Sequence, residues 1–144
     1  MTSFEMSEWI NSPPQEVFDF LSNPPNATEY VENIKAGHKV SDGPVGVGTV
    51  FSETRLMNNQ ESTAELVVSA YDPPRSFGIG NETMGVEINY TYTLEPEKGG
   101  TRVTWVCDLE ASGLKRMMLP MVAGIMKKED GDHLQNVKQV LENR

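Results

Sequence analysis

The chain has 144 residues, with 12 basic against 21 acidic side chains, two histidines and one cysteine. That length fits one domain spanning 1–144 and is enough to bury a core. The net charge of −9 has the wrong sign for a nucleic-acid surface. One cysteine, Cys107, makes no internal disulfide, and with two histidines it cannot build a structural zinc site. The longest apolar run, 117–126, is far short of a membrane span.

The start, Met1-Thr2-Ser3-Phe4-Glu5, has neither a basic nor an apolar leader region, so the expected location is cytoplasmic. Charge is uneven. Residues 1–34 carry six acids and no Lys or Arg, whereas 115–128 carry Lys115, Arg116, Lys127 and Lys128 with no acid. Both stretches read as solvated faces. No basic amphipathic stretch is longer than one helix end, so tight binding to anionic membranes is not expected. The expected state is a monomer or weak dimer.

Phe4, Met6, Glu8 and Ile10 alternate with Glu5, Ser7 and Trp9 as in a strand. Ser12-Pro13-Pro14-Gln15 is an S-x-x-Q capping signal with proline at the first helical position. Val17, Phe18, Phe20 and Leu21 follow at helical spacing, and Asn23-Pro24-Pro25 ends the helix. A second, very short helix is predicted over 28–31. From Ile34 the period becomes two, placing Ile34, Ala36, His38 and Val40 on one strand face. Strands follow over 50–57, 62–71 and 77–80, separated by Asn58-Asn59 and Asp72-Pro73-Pro74-Arg75. In the clearest hairpin, Val86, Ile88, Tyr90, Tyr92 and Leu94 alternate with polar residues, Pro96 to Gly100 turns the chain, and Val103, Trp105, Cys107 and Leu109 alternate again. Cys107 therefore reads as a buried, unreactive thiol. The remainder is helical. Leu114, Met118, Met121, Val122 and Ile125 form a stripe continued by Leu134, Val137 and Leu141. Pro120 implies a kink or restart. A curved antiparallel sheet with one long helix to cover its concave face leaves room for a cavity between them.

The segments 10–21, Gly43-Pro44-Val45-Gly46-Val47-Gly48-Thr49, Tyr71-Asp72-Pro73-Pro74-Arg75, 90–96 and Gly99-Gly100-Thr101-Arg102-Val103-Thr104 resemble the START-like superfamily. They are similar in particular to its bacterial polyketide cyclase/dehydrase-like branch, also called SRPBCC proteins. The resemblance covers nearly the whole chain. It implies an α+β helix-grip fold: a curved seven-stranded antiparallel sheet around a long C-terminal helix, with two short helices after strand one. It further implies a cavity for a hydrophobic or amphipathic small molecule. No cofactor is expected. These motifs are caps, turns and strand alternation, so they specify the fold and not the chemistry. The relatives the resemblance brings in include carriers, polyketide cyclase/dehydratase-type enzymes and chaperone-activator-like interaction modules. No cyclase signature motif carries over.

Strand parity then selects candidate cavity walls: His38, Phe51, Met57, Tyr71, Tyr90, Tyr92 and Trp105 from the sheet, and Met118, Met121 and Val122 from the helix. If Phe51 points inward, so do Glu53 and Arg55, either as a ligand anchor or as a pair at the mouth touching water. His38, or Glu53 with Arg55, are the candidates for moving protons. The Tyr71 face also holds Glu65, Val67 and Ser69, while the opposite face of Leu66, Val68 and Ala70 is equally apolar, so periodicity leaves that register open. His133 lies in a polar stretch and reads as a surface residue. The flexible methionines at 117–126 read either as packing or as an adaptable ligand contact. Lys115 and Arg116 at the helix start would suit a ligand carboxylate.

Overall fold

The computed structural model describes residues 2–57, 59–83 and 85–144, and of these the side chains of Met57, Thr83, Glu129 and Asp130 are left undescribed. The described strands are β1 (Thr2–Ile10), β2 (Ile34–Lys39), β3 (Val50–Met57), β4 (Gln60–Asp72), β5 (Ser76–Thr83), β6 (Val86–Glu97) and β7 (Gly100–Glu110). They form one antiparallel sheet in the order β1-β7-β6-β5-β4-β3-β2. The β6–β7 hairpin turns on Lys98 and Gly99, at φ 49° and 79°. Positive φ at both central residues gives the turn that matches strand twist.

Helix α1 (Pro14–Leu21) begins one residue later than the capping signal predicts. Pro13 occupies the cap position, the Ser12 hydroxyl donates to Glu16 Oε2 at 2.7 Å, and Gln15 pairs with Asp19. The second short helix is a 3₁₀ segment over Pro24–Glu29, not the predicted 28–31. It seats against β2 where Gly37 offers no side chain: a Cβ there would stand 3.3 Å from Pro25 Cα. Val17, Phe18 and Leu21 of α1 are buried in one cluster with Phe77, Leu94, Val103, Trp105, Cys107 and Leu109 of the sheet. Each such buried side chain contributes about 1.5–3 kcal/mol of transfer free energy.

Two β-bulges decide which residues face inward. In β2, Ile34 pairs with Arg55 and Ala36 with Thr54, so Lys35 is an extra residue. Ile34 is buried, but beyond the bulge Gly37 takes the inward side, and Ala36, His38 and Val40 are exposed. The predicted shared face of Ile34, Ala36, His38 and Val40 is thereby corrected: a one-residue slip moves every later side chain to the opposite face. In β4, Val68 pairs with Ile79 and Ala70 with Gly78, so Ser69 is the extra residue. Leu66 and Val68 are buried before the bulge and Val67 is exposed, while beyond it Tyr71 turns inward onto Phe18, with ring centroids 5.5 Å apart. Both faces that periodicity left open are thus used, one on each side of the bulge.

The long C-terminal helix is interrupted. A 3₁₀ segment over Gly113–Met118 leads into α2 (Leu119–Asp130), and α3 (His133–Glu142) follows after Gly131 and Asp132. Pro120 sits in the first turn of α2, where its missing N–H costs nothing. Asp132, at φ −100° and ψ 3°, breaks the helical path before α3. Both helices pack on β1, an edge strand of the sheet. α3 is fastened there by Lys138 Nζ, which donates to the Trp9 carbonyl at 2.9 Å, and by Glu142, which accepts from the Asn11 N–H at 2.8 Å.

Candidate functional site: an aromatic cavity with a polar end

A cavity of about 50 Å³ lies between the sheet, the 3₁₀ segment Pro24–Glu29 and the start of α3. Its apolar wall comes from Leu21, Pro24, Ala27, Val31, Ile34, Leu66, Phe77 and Ile79, and its aromatic wall from Tyr30, Tyr90, Tyr92 and Trp105. Glu53, Arg55 and His133 supply the polar groups. The volume is enough for a few waters and well below the roughly 300–1,000 Å³ of ordinary small-molecule sites. A drug-sized guest therefore needs the 3₁₀ segment or α3 to shift outward.

Each polar group is placed by a specific local reason. Glu53 and Arg55 alternate with Ser52 and Thr54 on β3, whose outer side is marked by a Thr54–Thr63 hydroxyl contact at 3.0 Å. Arg55 Nε donates to Glu53 Oε1 at 2.9 Å, with the side chains 21% and 11% exposed. The pair lines the cavity and keeps some contact with water. His133 is 4% exposed, the reverse of the surface position its polar neighbours suggest. The break at 131–132 turns the first residue of α3 inward. There His133 Nε2 lies 3.0 Å from the Tyr92 hydroxyl, and its ring meets that of Trp105 edge-on at 4.5 Å. Asn136, one turn on, donates to the Tyr30 carbonyl at 2.9 Å and ties α3 to the end of the 3₁₀ segment.

Trp105 is 1% exposed, and its indole N–H has no hydrogen-bond partner among the described residues. A buried unsatisfied donor costs about 1–3 kcal/mol, and such groups in native structures ask for an explanation. Trp105 is one of the cavity-lining residues, and an oxygen acceptor within reach of that N–H would remove the cost.

Of the candidate walls, Tyr90, Tyr92 and Trp105 line the cavity, as do Glu53 and Arg55. His38 does not: the bulge at Lys35 puts it in solvent, which removes it as a proton mover in the cavity. Phe51 is inward but packed into the core, outside the cavity wall. Tyr71 packs on Phe18 and Phe77 instead. The side chain of Met57 lies outside the described residues. Met118 and Met121 are 41% and 58% exposed and Val122 is half-buried, none of them at the cavity. The reason is that α2 lies along β1 and β7, so the helix that faces the cavity is α3. Lys115 and Arg116 line a separate open groove with Glu82, Glu87 and Glu110, a poor setting for a ligand carboxylate. Among the described residues, no group of three His, Cys, Asp or Glu comes together as a metal site.

Residues 1–142 match the family model described as polyketide cyclase / dehydrase and lipid transport. The chain belongs to this family. Similar solved structures include Ara h 8.0201, with a TM-score of 0.78 at 16% identity over 99% of both chains. Another is the di-domain ARO/CYC protein BexL from the BE-7585A biosynthetic pathway, with a TM-score of 0.81 at 17% identity. That match covers 99% of this chain and 47% of BexL. TTHA0849 from Thermus thermophilus matches with a TM-score of 0.74 at 14% identity over 96% of this chain and 95% of its own. At such identities the likeness concerns the helix-grip fold alone. No curated protein matches the chain significantly. No helix among the described residues is long and apolar enough to cross a membrane.

Proposed function

We propose that this member of the polyketide cyclase / dehydrase and lipid transport family binds a flat, largely apolar molecule that carries an oxygen acceptor at one end. The observation that supports this reading is the convergence on one aromatic-walled cavity of Arg55, the Tyr92–His133 pair and the unsatisfied indole N–H of Trp105. Aromatic walls favour a planar ring system, and few well-placed polar groups orient it. The ring system would lie against Tyr90 and Phe77, with its carbonyl or phenol oxygen toward Trp105. Native mass spectrometry of the protein purified from its own host tests the reading, and a retained aromatic mass is the expected result. Isothermal titration calorimetry with a hydroxynaphthoquinone supplies the affinity of parent and variant alike. Trp105→Phe should weaken binding about tenfold while leaving the fold intact, because it removes the one donor the ligand satisfies. Equal affinity in parent and variant, with no retained mass, would refute the reading.

A second reading is favoured by the Tyr92–His133 pair itself. A buried imidazole on a phenol hydroxyl, beside a cavity that also holds Arg55, is an acid–base set of the kind a cyclase/dehydratase needs. In such a step His133 takes a proton from a carbon next to a ketone, that carbon attacks a second carbonyl of the same chain, and Tyr92 protonates the resulting alkoxide. His133→Gln and Tyr92→Phe separate the readings, since a carrier keeps its affinity in one or both and an enzyme loses turnover in each.

A further inference from the structure

Helix α2 is apolar on two sides, and only one of them is covered. Leu119, Ala123 and Met126 are buried against the sheet edge, yet Met121 and Ile125 remain 58% and 46% exposed. The preceding 3₁₀ segment adds Leu114 and Met117 at 84% and 79%, with Met118 beside them at 41%. A helix that is apolar all round is normally buried all round. Five exposed large apolar side chains within twelve positions are therefore an unfilled contact, of the kind that marks an interaction site.

The charges around this stripe say what fills it. Residues 111–128 contain Lys115, Arg116, Lys127 and Lys128 and no acid, before Glu129 and Asp130 end α2, in a chain of net charge −9. All four cations are exposed. Elsewhere Arg55, Arg75, Arg102, Lys138 and Arg144 sit in ion pairs. Among the described residues these four take none, and Lys127 stands over the Phe4 ring at 5.2 Å. Glu82, Glu87 and Glu110 share a groove with Lys115 and Arg116, but they belong to the sheet side and not to the helix face. A stripe of flexible apolar side chains with exposed cations at both ends matches an interfacial anchor, where apolar groups enter the headgroup region and cations meet anionic lipid. A second copy of this chain fits less well. A two-fold contact would bring the cationic rim against an identical rim, and like charges across an interface are repelled.

We propose that the exposed face of Gly113–Met118 and α2 docks this protein on an anionic lipid surface. The sequence alone argues otherwise, because the net charge is negative, no basic amphipathic stretch is longer than one helix end, and Met118 and Met121 read as candidate cavity walls. Their exposure reverses that last expectation, and it does so whatever the cavity binds.

The test is flotation of the full chain with vesicles made of equal parts phosphatidylcholine and phosphatidylglycerol, against vesicles of phosphatidylcholine alone. The parent should float with the anionic vesicles only and be released by salt, as the screening length shrinks. Each cation near such a surface is worth about fivefold in partitioning, so Arg116→Ser with Lys128→Ser should lower binding by roughly twenty-five-fold. Met117→Ser with Met121→Ser should lower it by at least about tenfold. Thermal melting should be unchanged in both variants, because the substituted side chains are exposed. Absence of flotation, or flotation of both variants like the parent, overturns the proposal. It is also overturned if sedimentation velocity shows a dimer that Met117→Ser with Met121→Ser turns into a monomer, since the stripe is then a contact between copies.

Discussion

The two C-terminal helices have similar lengths and share one edge strand, yet they do opposite things. α3 buries Leu134 and Val137, sends His133 into the cavity and ties itself down through Asn136, Lys138 and Glu142. α2 buries a narrower stripe and leaves Met121 and Ile125 outside. One continuous helix could not do both, because its faces would keep a single phase along its length. The break at Gly131–Asp132 resets the phase, so one helix closes the cavity and the other displays an apolar surface. Hydrophobicity alone therefore does not say which part of an amphipathic segment faces inward.

The comparison is sharpest in thiol chemistry. Cys107 is fully buried, so its labelling waits for a large opening of the fold, and a cysteine placed by Met121→Cys should react at least about a thousandfold faster. Comparable rates measured with a maleimide on the native protein would mean that the two regions do not differ as described. In stability, Trp105→Ala should cost about 3–5 kcal/mol in urea unfolding, as the loss of a large core aromatic does. His133→Ala should cost about 2 kcal/mol by the same measurement, through the lost hydrogen bond to Tyr92 and the lost ring contact with Trp105. Met121→Ala should stay within about 0.5 kcal/mol of the parent, since it removes no buried contact. A larger loss there would place the α2 stripe inside the fold.

The smallest effect concerns pH. Glu142 is held below the usual carboxylate range, first by its hydrogen bond from Lys138 and then by the Asn11 N–H. A carboxylate whose folded pKa is depressed stabilises the fold above its unfolded pKa and loses that contribution as pH falls through the folded value. Glu142→Gln should therefore destabilise the fold by roughly 0.3 kcal/mol at neutral pH, the scale of an exposed pair, and by nothing measurable in strong acid. Parent and variant melting curves that stay parallel across that range would show that Glu142 does not fasten α3.

Strand and helix order, the inward faces of β6 and β7 and the burial of Cys107 were all legible, because alternation over long uninterrupted stretches leaves one solution. So was a restart near Pro120, whereas the sequence left the inward side of β3 open. The cavity walls were legible only where that regularity held, at Tyr90, Tyr92, Trp105, Glu53 and Arg55. His38 was misplaced because Lys35 is an extra residue with an ordinary side chain, and nothing in its chemistry announces a bulge; Tyr71 does face inward, but it packs on Phe18 and Phe77 instead of the cavity. Leu21, Pro24, Ala27 and Tyr30 were missed as cavity walls because their place depends on how the 3₁₀ segment docks across β2.

By itself the sequence determined local periodicity, and with it the strands, the hairpins and the element order. Each of those follows from side chains within a few positions of one another, while the helix-grip architecture was implied by the family resemblance. The tertiary structure alone decided that His133 is inside and Met121 outside. That choice depends on the direction in which a helix leaves a two-residue break and on which strand lies beneath it, and no neighbour in sequence carries that information.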